Sequence, residues 1–386
     1  MNFELDETQS AMRDAAQAFA RESLAPRAAE WDAESIFPRD VIGQAGELGF
    51  CGLYTPEAQG GLGLARLDSA MIFEALAGGC TSTAAYISIH NMATWMIATF
   101  GGDAVRDQWC AQLAAGEKLA SYCLTEPGAG SDAGSLKTRA VRDGDDYVLD
   151  GSKCFISGAG DTDVLVVMAR TGKAGPGGIS TFAVAADTPG VSYGRKEPKM
   201  GWNSQATRTI TFDGARVPAA NRLGEEGQGF MIAMKGLDGG RINIAACSLG
   251  TAQAALDASR RYLGEREQFG RKLGEFQALQ FKLADMATEL IASRQMVWLA
   301  ASRLDNGHAE ATAFCAMAKR LATDLCFDIC NAALQIHGGY GYIREYPLER
   351  HVRDVRVHQI LEGTNEIMRL IIARRVLADD NGDRLR

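Results

Sequence analysis

Apolar residues at helical spacing dominate the first 116 positions of the chain. Met12, Ala16 and Phe19 recur at intervals of four and three behind an acidic opening, which predicts a helix that begins near Asp6. A second apolar pattern covers residues 37–49 and ends at Gly49, where glycine predicts a helix stop. Further helices are predicted at residues 71–78 and 82–100. We therefore expect a helical domain over residues 1–119.

Short apolar runs separated by turn residues follow from about Leu119. Strands are predicted at residues 120–125, 147–149, 154–157, 164–169, 180–185 and 207–212. Asp150-Gly151, between the second and third runs, predicts the turn of a hairpin. The glycine-bearing segment Glu126–Asp132 predicts a loop after the first strand. We therefore expect an all-β barrel or sandwich as a middle domain over residues 120–228.

Long amphipathic patterns return in the last third of the chain. They cover residues 239–263, 276–306 and 309–337, and a final helix is predicted from Asn365. Four helices joined by glycine-bearing loops predict a four-helix bundle over residues 229–386. The order of helices, strands and helices, without βαβ alternation, predicts an α+β multidomain fold.

The composition is that of an ordinary soluble globular protein. The 386 residues are 46% hydrophobic and 23% charged, and the formal net charge at pH 7 is -8. This acidic balance gives no electrostatic basis for holding nucleic acid or an anionic membrane. No apolar stretch is long enough to predict a membrane span.

The nine cysteines are scattered and form no C-x-x-C pair, so we expect free thiols in a reducing compartment. Cys326 and Cys330 share a predicted helix face, but no histidine stands at ligand spacing, and we expect no metal site. The acidic opening Met1–Asp6 resembles neither a signal nor a transit peptide. We expect a cytoplasmic protein in a bacterium, or a mitochondrial matrix protein if the chain is a processed eukaryotic one.

One carboxylate near the C-terminus has the surroundings of a general base. Glu362 follows the apolar pair Ile360-Leu361, precedes Gly363, and lies just before a predicted helix with Thr364 or Asn365 as its N-cap. Apolar neighbours raise the pKa of a carboxylate toward the range in which a base operates near neutral pH. A role in capping the helix or offsetting its dipole explains the same position, and the segment alone leaves both interpretations open.

Other motifs are ambiguous one at a time. No G-x-G-x-x-G follows a strand and no G-x-x-x-x-G-K-[ST] occurs, so a Rossmann or P-loop site is not predicted. Pro127–Ser131 is typical of a turn as much as of a phosphate cradle. Gln335–Gly341 ends a helix in a glycine cluster, which fits a C-cap or a close approach to a bulky ligand. Arg266, at another helix end, is typical of a solvated or dipole-capping side chain.

Taken together, these segments resemble the acyl-CoA dehydrogenase family of flavoproteins along nearly the whole chain. The segments that carry the resemblance are 122–132, 151–153, 266–270, 335–339 and 361–366, in the family's order and spacing. The resemblance implies the three-domain fold already predicted from the pattern. It also implies one FAD per subunit and a homotetramer.

The resemblance assigns FAD contacts to three regions. Thr125 and Ser157 would hydrogen-bond the flavin, with Phe155 packed beside it, and the Arg266 region of a neighbouring subunit would hold the adenine half. The helix start at 364–366 would meet the pyrophosphate. The implied cofactor-binding residues are Tyr122, Cys123, Leu124, Thr125, Gly130, Ser131, Phe155, Ile156, Ser157, Arg266, Phe276, Gln277, Gln335, Ile336, His337, Gly338, Gly339, Thr364, Asn365 and Glu366.

The substrate contacts implied by the resemblance cluster around the proposed base. Ser131 would lie along the CoA chain, and the segment Asp238–Arg241 would line its nucleotide end. The implied substrate-binding residues are Ser131, Asp238, Gly239, Gly240, Arg241, Leu361, Gly363 and Arg374.

The implied chemistry makes Glu362 the catalytic residue. It would remove the proton α to a thioester while the β-hydrogen leaves as hydride to flavin N5, and the electrons would pass to electron-transfer flavoprotein. The backbone N–H of the base and a flavin ribityl hydroxyl would stabilise the enolate oxygen. Some family members carry the base on an earlier helix, at the position of Gly240, which has no side chain to act with.

Leu361 narrows the expected substrate. Straight-chain members of the family usually have tyrosine just before the base, and the smaller leucine leaves room for an α-methyl branch. Segments 201–205, 239–245 and 358–363 are most similar to members that act on isobutyryl-CoA. We therefore expect oxidation of isobutyryl-CoA to methacrylyl-CoA, a step of valine catabolism.

Two alternatives stay open at the level of sequence. Butyryl-CoA or 2-methylbutyryl-CoA would be the substrate of a close relative, since one methylene discriminates only about 10- to 200-fold. A DNA-associated flavoprotein of the same fold, without dehydrogenase turnover, would need a basic face or a C-terminal extension. The acidic composition and the end at Arg386 soon after the last predicted helix argue against it.

Overall fold

The computed structural model describes residues 4–378 and residue 385. Helices form the first part of the chain, strands the middle and helices the last part, as the pattern predicts. The outer ends of the two predicted helical domains, residues 1–3, 379–384 and 386, lie outside the described residues.

Six α-helices form the N-terminal part. They are α1 (Glu7–Phe19), α2 (Ala28–Glu34), α3 (Arg39–Glu47), α4 (Arg66–Ala77), α5 (Thr81–Phe100) and α6 (Asp103–Ala114). The start of α1 is a capping box: the Asp6 side chain accepts from the Gln9 N–H at 2.8 Å, and the Gln9 side chain accepts from the Asp6 N–H at 3.2 Å. Most of α5 is buried, and it packs against α4, α6 and the long helix of the C-terminal part.

The middle part is one eight-stranded sheet. Its strands are β1 (Ala120–Cys123), β2 (Arg139–Asp143), β3 (Asp146–Ser157), β4 (Val164–Arg170), β5 (Ile179–Ala185), β6 (Val191–Tyr193), β7 (Thr207–Pro218) and β8 (Arg222–Leu223). The strand order is β6-β7-β3-β2-β4-β5-β8, and β1 pairs with β4 in parallel. The two long strands β3 and β7 pair antiparallel.

The predicted hairpin turn at Asp150-Gly151 is wrong. Residues 146–157 form a single strand, and the turn lies one strand earlier, at Gly144, where φ is 62°. Gly151 has φ 144° and marks a register shift against β7, so it is a bulge within β3. A β-carbon at Gly151 would lie 2.7 Å from the Thr138 Cα, so the packing against Thr138 requires glycine here. An Asp-Gly pair suits a turn and a bulge equally, and only this contact decides between them.

Up to residue 378, the C-terminal part contains six α-helices. They are α7 (Gly229–Glu265), α8 (Gln277–Asp305), α9 (Ala311–His337), α10 (Gly339–Tyr342), α11 (Leu348–Arg356) and α12 (Asn365–Leu377). The predicted bundle consists of α7, α8, α9 and α12, with α9 in contact with the other three. A small hairpin of β9 (Glu267–Gln268) and β10 (Arg271–Lys272) joins α7 to α8. Because α7 also packs against α4 and α5, it connects the bundle with the N-terminal helices.

Candidate active site

Glu362 lies on the short loop between a 3-10 turn (Val357–Gln359) and α12, with its backbone in the left-handed region. Its φ is 54° and that of Gly363 is 94°. A non-glycine residue in this region costs about 1–3 kcal/mol, and such strain is concentrated at functional sites. Phe155, Trp202 and Phe269 also have φ between 53° and 57°, and Phe269 stands in the segment 266–270 that carries the family resemblance.

The Glu362 carboxylate is held in a desolvated environment. Its Oε2 is buried and has no hydrogen-bond partner among residues 4–378 and 385. Burial raises the pKa of Glu362 to about 7, although the nearby Lys319 and Arg241 cations favour the ionised form. A carboxyl with a pKa near neutrality and an unpaired oxygen suits a general base.

The carboxylate has room because α7 carries glycine opposite it. A β-carbon at Gly240 would stand 2.6 Å from Oε2 and 2.9 Å from the carboxyl carbon of Glu362. The structure thus brings Gly240 and Glu362 together, although 121 residues separate the neighbouring Arg241 from Glu362 in the sequence.

Lys319, on α9, holds the loop from beneath. Its Nζ donates to the Gly363 carbonyl at 2.9 Å and to the Asn365 Oδ1 at 2.8 Å, and the side chain is fully buried. Burial lowers the pKa of Lys319 to about 7, and the charge of Glu362 opposes that shift. Asn365 also donates to Thr323 Oγ1 at 2.9 Å, so α9 fixes the loop at two neighbouring points. Sequence reasoning missed Lys319, but a lysine within the apolar stripe of α9 was a usable signal.

Arg241 and Asp238 form an ion pair beside the base. Arg241 Nη1 lies 2.7 Å from Asp238 Oδ1, and Arg241 Nε donates to the Glu362 carbonyl at 3.4 Å. Thr312 donates to the other Asp238 oxygen at 2.6 Å. The segment Asp238–Arg241 thus lies beside Glu362, and its expected position at the nucleotide end of CoA stays a prediction.

A buried histidine ties the base loop to two other elements. Trp202 Nε1 donates to His358 Nε2 at 3.1 Å, and Ser248 Oγ lies 2.7 Å from His358 Nδ1. Burial lowers the pKa of His358 to about 3, so the ring is neutral at physiological pH. Since Nε2 accepts from the indole, Nδ1 carries the proton and donates to Ser248. His358 thereby links the Trp202 segment of the middle part to α7, and nothing in its local sequence predicted this.

The predicted flavin-side residues lie where β1 and β3 run side by side. The Cys154 N–H donates to the Thr125 carbonyl at 2.9 Å, and Ser121 Oγ donates to the Ser157 carbonyl at 2.7 Å. These bonds bring Thr125 and Ser157 to the same edge. Phe155, two residues before Ser157 in β3, is 70% exposed. Burial raises the pKa of Tyr122, and the charge of Glu362 raises it further, so Tyr122 and this edge lie near the base.

A buried ion pair fixes the loop that follows β1. Lys153 Nζ lies 2.7 Å from Glu126 Oε1 and donates to the Leu124 carbonyl at 3.1 Å. Glu126 also accepts from the N–H groups of Lys137 and Thr138, at 2.6 and 3.0 Å. Because Glu126 is paired and hydrogen-bonded, its pKa stays below the usual value despite burial.

The other members of the flavin-side group differ in exposure. Cys123, Leu124 and Ile156 are buried, so their expected contacts would be made by the backbone. Gly130 and Ser131 are exposed on the loop after β1.

The predicted adenine-side residues form a second cluster at the end of α9. A cavity of about 400 Å³ is lined by Arg266, Ile336, His337, Gly338 and Gly339, together with Tyr262, Gln268, Leu273, Tyr340 and Ile343. The rings of Tyr262 and His337 stack with their centres 4.3 Å apart.

The hairpin and the start of α8 carry the rest of this cluster. The ring of Phe276 meets Phe269 edge-on at 6.3 Å, and Phe269 is 93% exposed. Gln277 opens α8 and is exposed, as is Gln335 on α9.

The last predicted residues lie on α12. Thr364 caps the helix, as predicted, because its Oγ1 accepts from the Ile367 N–H at 3.4 Å. Glu366 is exposed in the first turn. Arg374 is exposed in the last turn, and its expected contact with substrate stays a prediction.

Both regions fit the two ends of FAD. Phe155 and Phe269 expose aromatic rings that a large planar group would cover. The backbone is open beside them, since a β-carbon at Gly130, Gly338 or Gly339 would meet no atom within 4 Å. Glycine positions of this kind allow a ligand to approach the main chain closely.

Two other features are absent from the described residues. No group of three or more His, Cys, Asp or Glu side chains in residues 4–378 and 385 could hold a metal ion. None of the helices described there is long and apolar enough to cross a membrane. The nine cysteines are buried free thiols, as predicted.

All three parts of the chain match domains of one known protein family. Residues 6–117, 121–215 and 227–377 match the N-terminal, middle and C-terminal domains of acyl-CoA dehydrogenases. The chain is 56% identical to mitochondrial isobutyryl-CoA dehydrogenase of Bos taurus, over 97% of this chain and 90% of that protein. It is 54% identical to the Dictyostelium discoideum protein of the same name, over 98% and 91%. The structure of butyryl-CoA dehydrogenase from Megasphaera elsdenii has a TM-score of 0.95 at 40% identity, covering 98% of this chain and 100% of that one.

Proposed function

This chain belongs to the acyl-CoA dehydrogenase family of FAD-dependent oxidoreductases, and we propose that it oxidises isobutyryl-CoA to methacrylyl-CoA with Glu362 as the base. The observation that carries the assignment of the base is the buried, unpartnered Oε2 of Glu362 opposite Gly240. The branched substrate is supported by Leu361 and by the isobutyryl-CoA dehydrogenases at 54–56% identity.

Glu362 takes the proton from the α-carbon of the thioester. Its pKa of about 7 leaves a large fraction ionised at neutral pH, while making it a stronger base than an exposed carboxylate. The backbone N–H of Glu362 is assigned to the developing enolate oxygen, an oxyanion-type role. Lys319 keeps the loop in place by its bonds to Gly363 and Asn365, so the base stays in one orientation.

FAD, when bound, supplies the acceptor for the β-hydrogen, which leaves with its electron pair as hydride so that a carbon–carbon double bond forms. The β1–β3 edge at Thr125, Phe155 and Ser157 would hold the flavin. The N-terminus of α12 at Thr364 would hold the pyrophosphate, because the first backbone N–H groups of a helix have no partner within the helix and suit an anion.

The cavity at Arg266 and Gly338 would hold the adenine half of an FAD bound mainly to a neighbouring subunit, in a homotetramer. Sedimentation analysis with parallel measurement of FAD content checks this. A monomer with one FAD per chain would contradict the shared site.

The electrons taken from the substrate would leave the enzyme through electron-transfer flavoprotein.

A panel of C4 and C5 acyl-CoAs with an artificial electron acceptor tests the substrate. We expect the highest kcat/KM with isobutyryl-CoA. A higher value for butyryl-CoA or 2-methylbutyryl-CoA would move the assignment to that substrate. Absence of flavin bleaching with the entire panel, in protein that retains FAD, would favour the flavoprotein without dehydrogenase turnover.

A further inference from the structure

Arg66 is a buried cation stacked between two aromatic rings. It opens α4 and is 9% exposed. Its guanidinium carbon lies 3.5 Å from the centre of the Tyr54 ring and 5.0 Å from that of Trp95. Stacking on aromatic faces stabilises a cation, but Nη1 is buried without a hydrogen-bond partner in the described part of the chain.

Arg66 and the base face consecutive positions of the same helix. A β-carbon at Gly239 would collide with Arg66 Nη1, and one at Gly240 would stand 2.6 Å from Glu362 Oε2. The two adjacent glycines of α7 therefore receive the ends of these two side chains. Consecutive residues of a helix point about 100° apart, so the cation and the carboxylate approach neighbouring positions of α7 from different directions.

A second unpaired polar atom belongs to a side chain that is hydrogen-bonded to Tyr54. Asn243, one turn beyond Gly239 on α7, donates from Nδ2 to the Tyr54 hydroxyl at 3.0 Å. It is fully buried, and its Oδ1 has no partner among residues 4–378 and 385. Burial raises the pKa of Tyr54, and the charge of Glu362 raises it slightly further. A donor and an acceptor left unpaired here call for a small polar occupant, such as water.

We infer that Arg66 sets the upper limit on acyl-chain length, which rests on the proposed function. A chain whose α-carbon lies at Glu362 and which runs along the glycines of α7 arrives at Arg66 Nη1. A short acyl group stops before it and leaves the guanidinium hydrated. A longer chain displaces that water with a methyl group and leaves a buried cation unpaired, which is unfavourable.

A purely structural role makes a different prediction. If Arg66 only anchored α4 to Tyr54 and Trp95, its removal would lower the melting temperature without changing which chain is preferred. The ratio of kcat/KM values for two chain lengths separates the two roles.

The test compares R66M with R27M, measured with hexanoyl-CoA and isobutyryl-CoA. Arg27 is a matched control because its guanidinium also stacks on an indole, 5.1 Å from the ring centre of Trp31, but its side chain is 45% exposed at the N-cap of α2. We expect R66M to raise the hexanoyl-to-isobutyryl ratio by at least about tenfold and R27M to leave it unchanged. An unchanged ratio in R66M with full FAD content would overturn the inference.

A second measurement needs no variant at the site. Pentanoyl-CoA and 4-hydroxybutyryl-CoA have chains of equal length that end in a methyl and a hydroxyl group. The wild-type enzyme should bind the hydroxyl form more tightly, because its oxygen can accept from Arg66 Nη1. Tighter binding of pentanoyl-CoA by an enzyme that turns over isobutyryl-CoA would overturn the inference alone. Inactivity toward the whole series would overturn the proposed function together with it.

Discussion

The carboxylate of Glu362 occupies the space that a side chain at Gly240 would fill. The distance of 2.6 Å between Oε2 and an ideal β-carbon at position 240 is too short for any real contact. A side chain at this place on α7 would therefore displace the Glu362 carboxylate from its present position. This relationship is the basis for assigning the base to Glu362.

Replacement of Gly240 tests this relationship. In G240A the added methyl group should push the carboxylate away, and misplacement of about 1 Å is enough to cost roughly 10²-fold in rate. Stopped-flow reduction of the flavin by substrate measures the loss. G264A is the control on the same helix, because a β-carbon at Gly264 meets no atom within 4 Å. A wild-type rate in G240A would show that the base lies elsewhere.

Removal of the base should leave the holoenzyme intact. E362Q keeps the shape of the side chain but cannot accept the α-proton, so flavin reduction should fall by about 10²- to 10⁴-fold while FAD content and acyl-CoA binding persist. E362D should retain part of the rate, because the carboxylate survives but is withdrawn by one methylene. Bleaching of the flavin in E362Q at the wild-type rate would contradict the assignment.

The rate of flavin reduction should rise with pH. Glu362 acts as a base only when ionised, and its pKa is about 7, so the free enzyme should gain kcat/KM through that pH and level off above it. K319M removes a cation that favours the ionised form of Glu362, so the pKa of Glu362 should rise. The increase of kcat/KM should then occur at higher pH than in the wild type.

Two further variants test whether the shift in the pH profile comes from the charge of Lys319. K319R keeps a charge near the Gly363 carbonyl and should restore most of the wild-type profile. K282M, on the separate helix α8, serves as the control and should leave the profile unchanged. An identical profile in K319M and wild type would exclude Lys319 as a group that sets the ionisation of the base.

The residue before the base should control the preference for a branched over a straight acyl chain. Leu361 is half-buried and packs against the main hydrophobic core, so a larger side chain there changes the space beside the base. L361Y should lower the ratio of kcat/KM for isobutyryl-CoA over butyryl-CoA by about tenfold or more, since one carbon is worth about 10- to 200-fold. A ratio that does not change would remove the support that Leu361 gives to the branched substrate.

The boundaries of α1, α8, α9 and α12 were predictable because their signals are local, whereas α7 begins at Gly229 and not at residue 239 as predicted. Thr364 caps α12 with a bond that spans three residues, and Asp6 begins α1 in the same way. The order of the domains followed from the change in hydrophobic period near Leu119. The family motifs identified Glu362 as a candidate because the loop, the glycine and the helix start are contiguous in the sequence.

The strand pairing of the middle part was less predictable. Asp150-Gly151 has the composition of a turn, and a contact with Thr138 across the sheet makes it a bulge instead. The contact joins Gly151 to Thr138, 13 positions earlier, which no local pattern reports. The missed strand β2 and the true turn at Gly144 follow from the same pairing.

The sequence by itself determined which residues could cap, turn or ionise, because those properties belong to single side chains and their immediate neighbours. The tertiary structure alone decided which charges meet. Lys319 reaches the Gly363 carbonyl across 44 positions, and Arg241 reaches the Glu362 carbonyl across 121. The pKa of Glu362 depends on how much water the fold excludes and which cations it leaves nearby, and both are set by packing between distant segments.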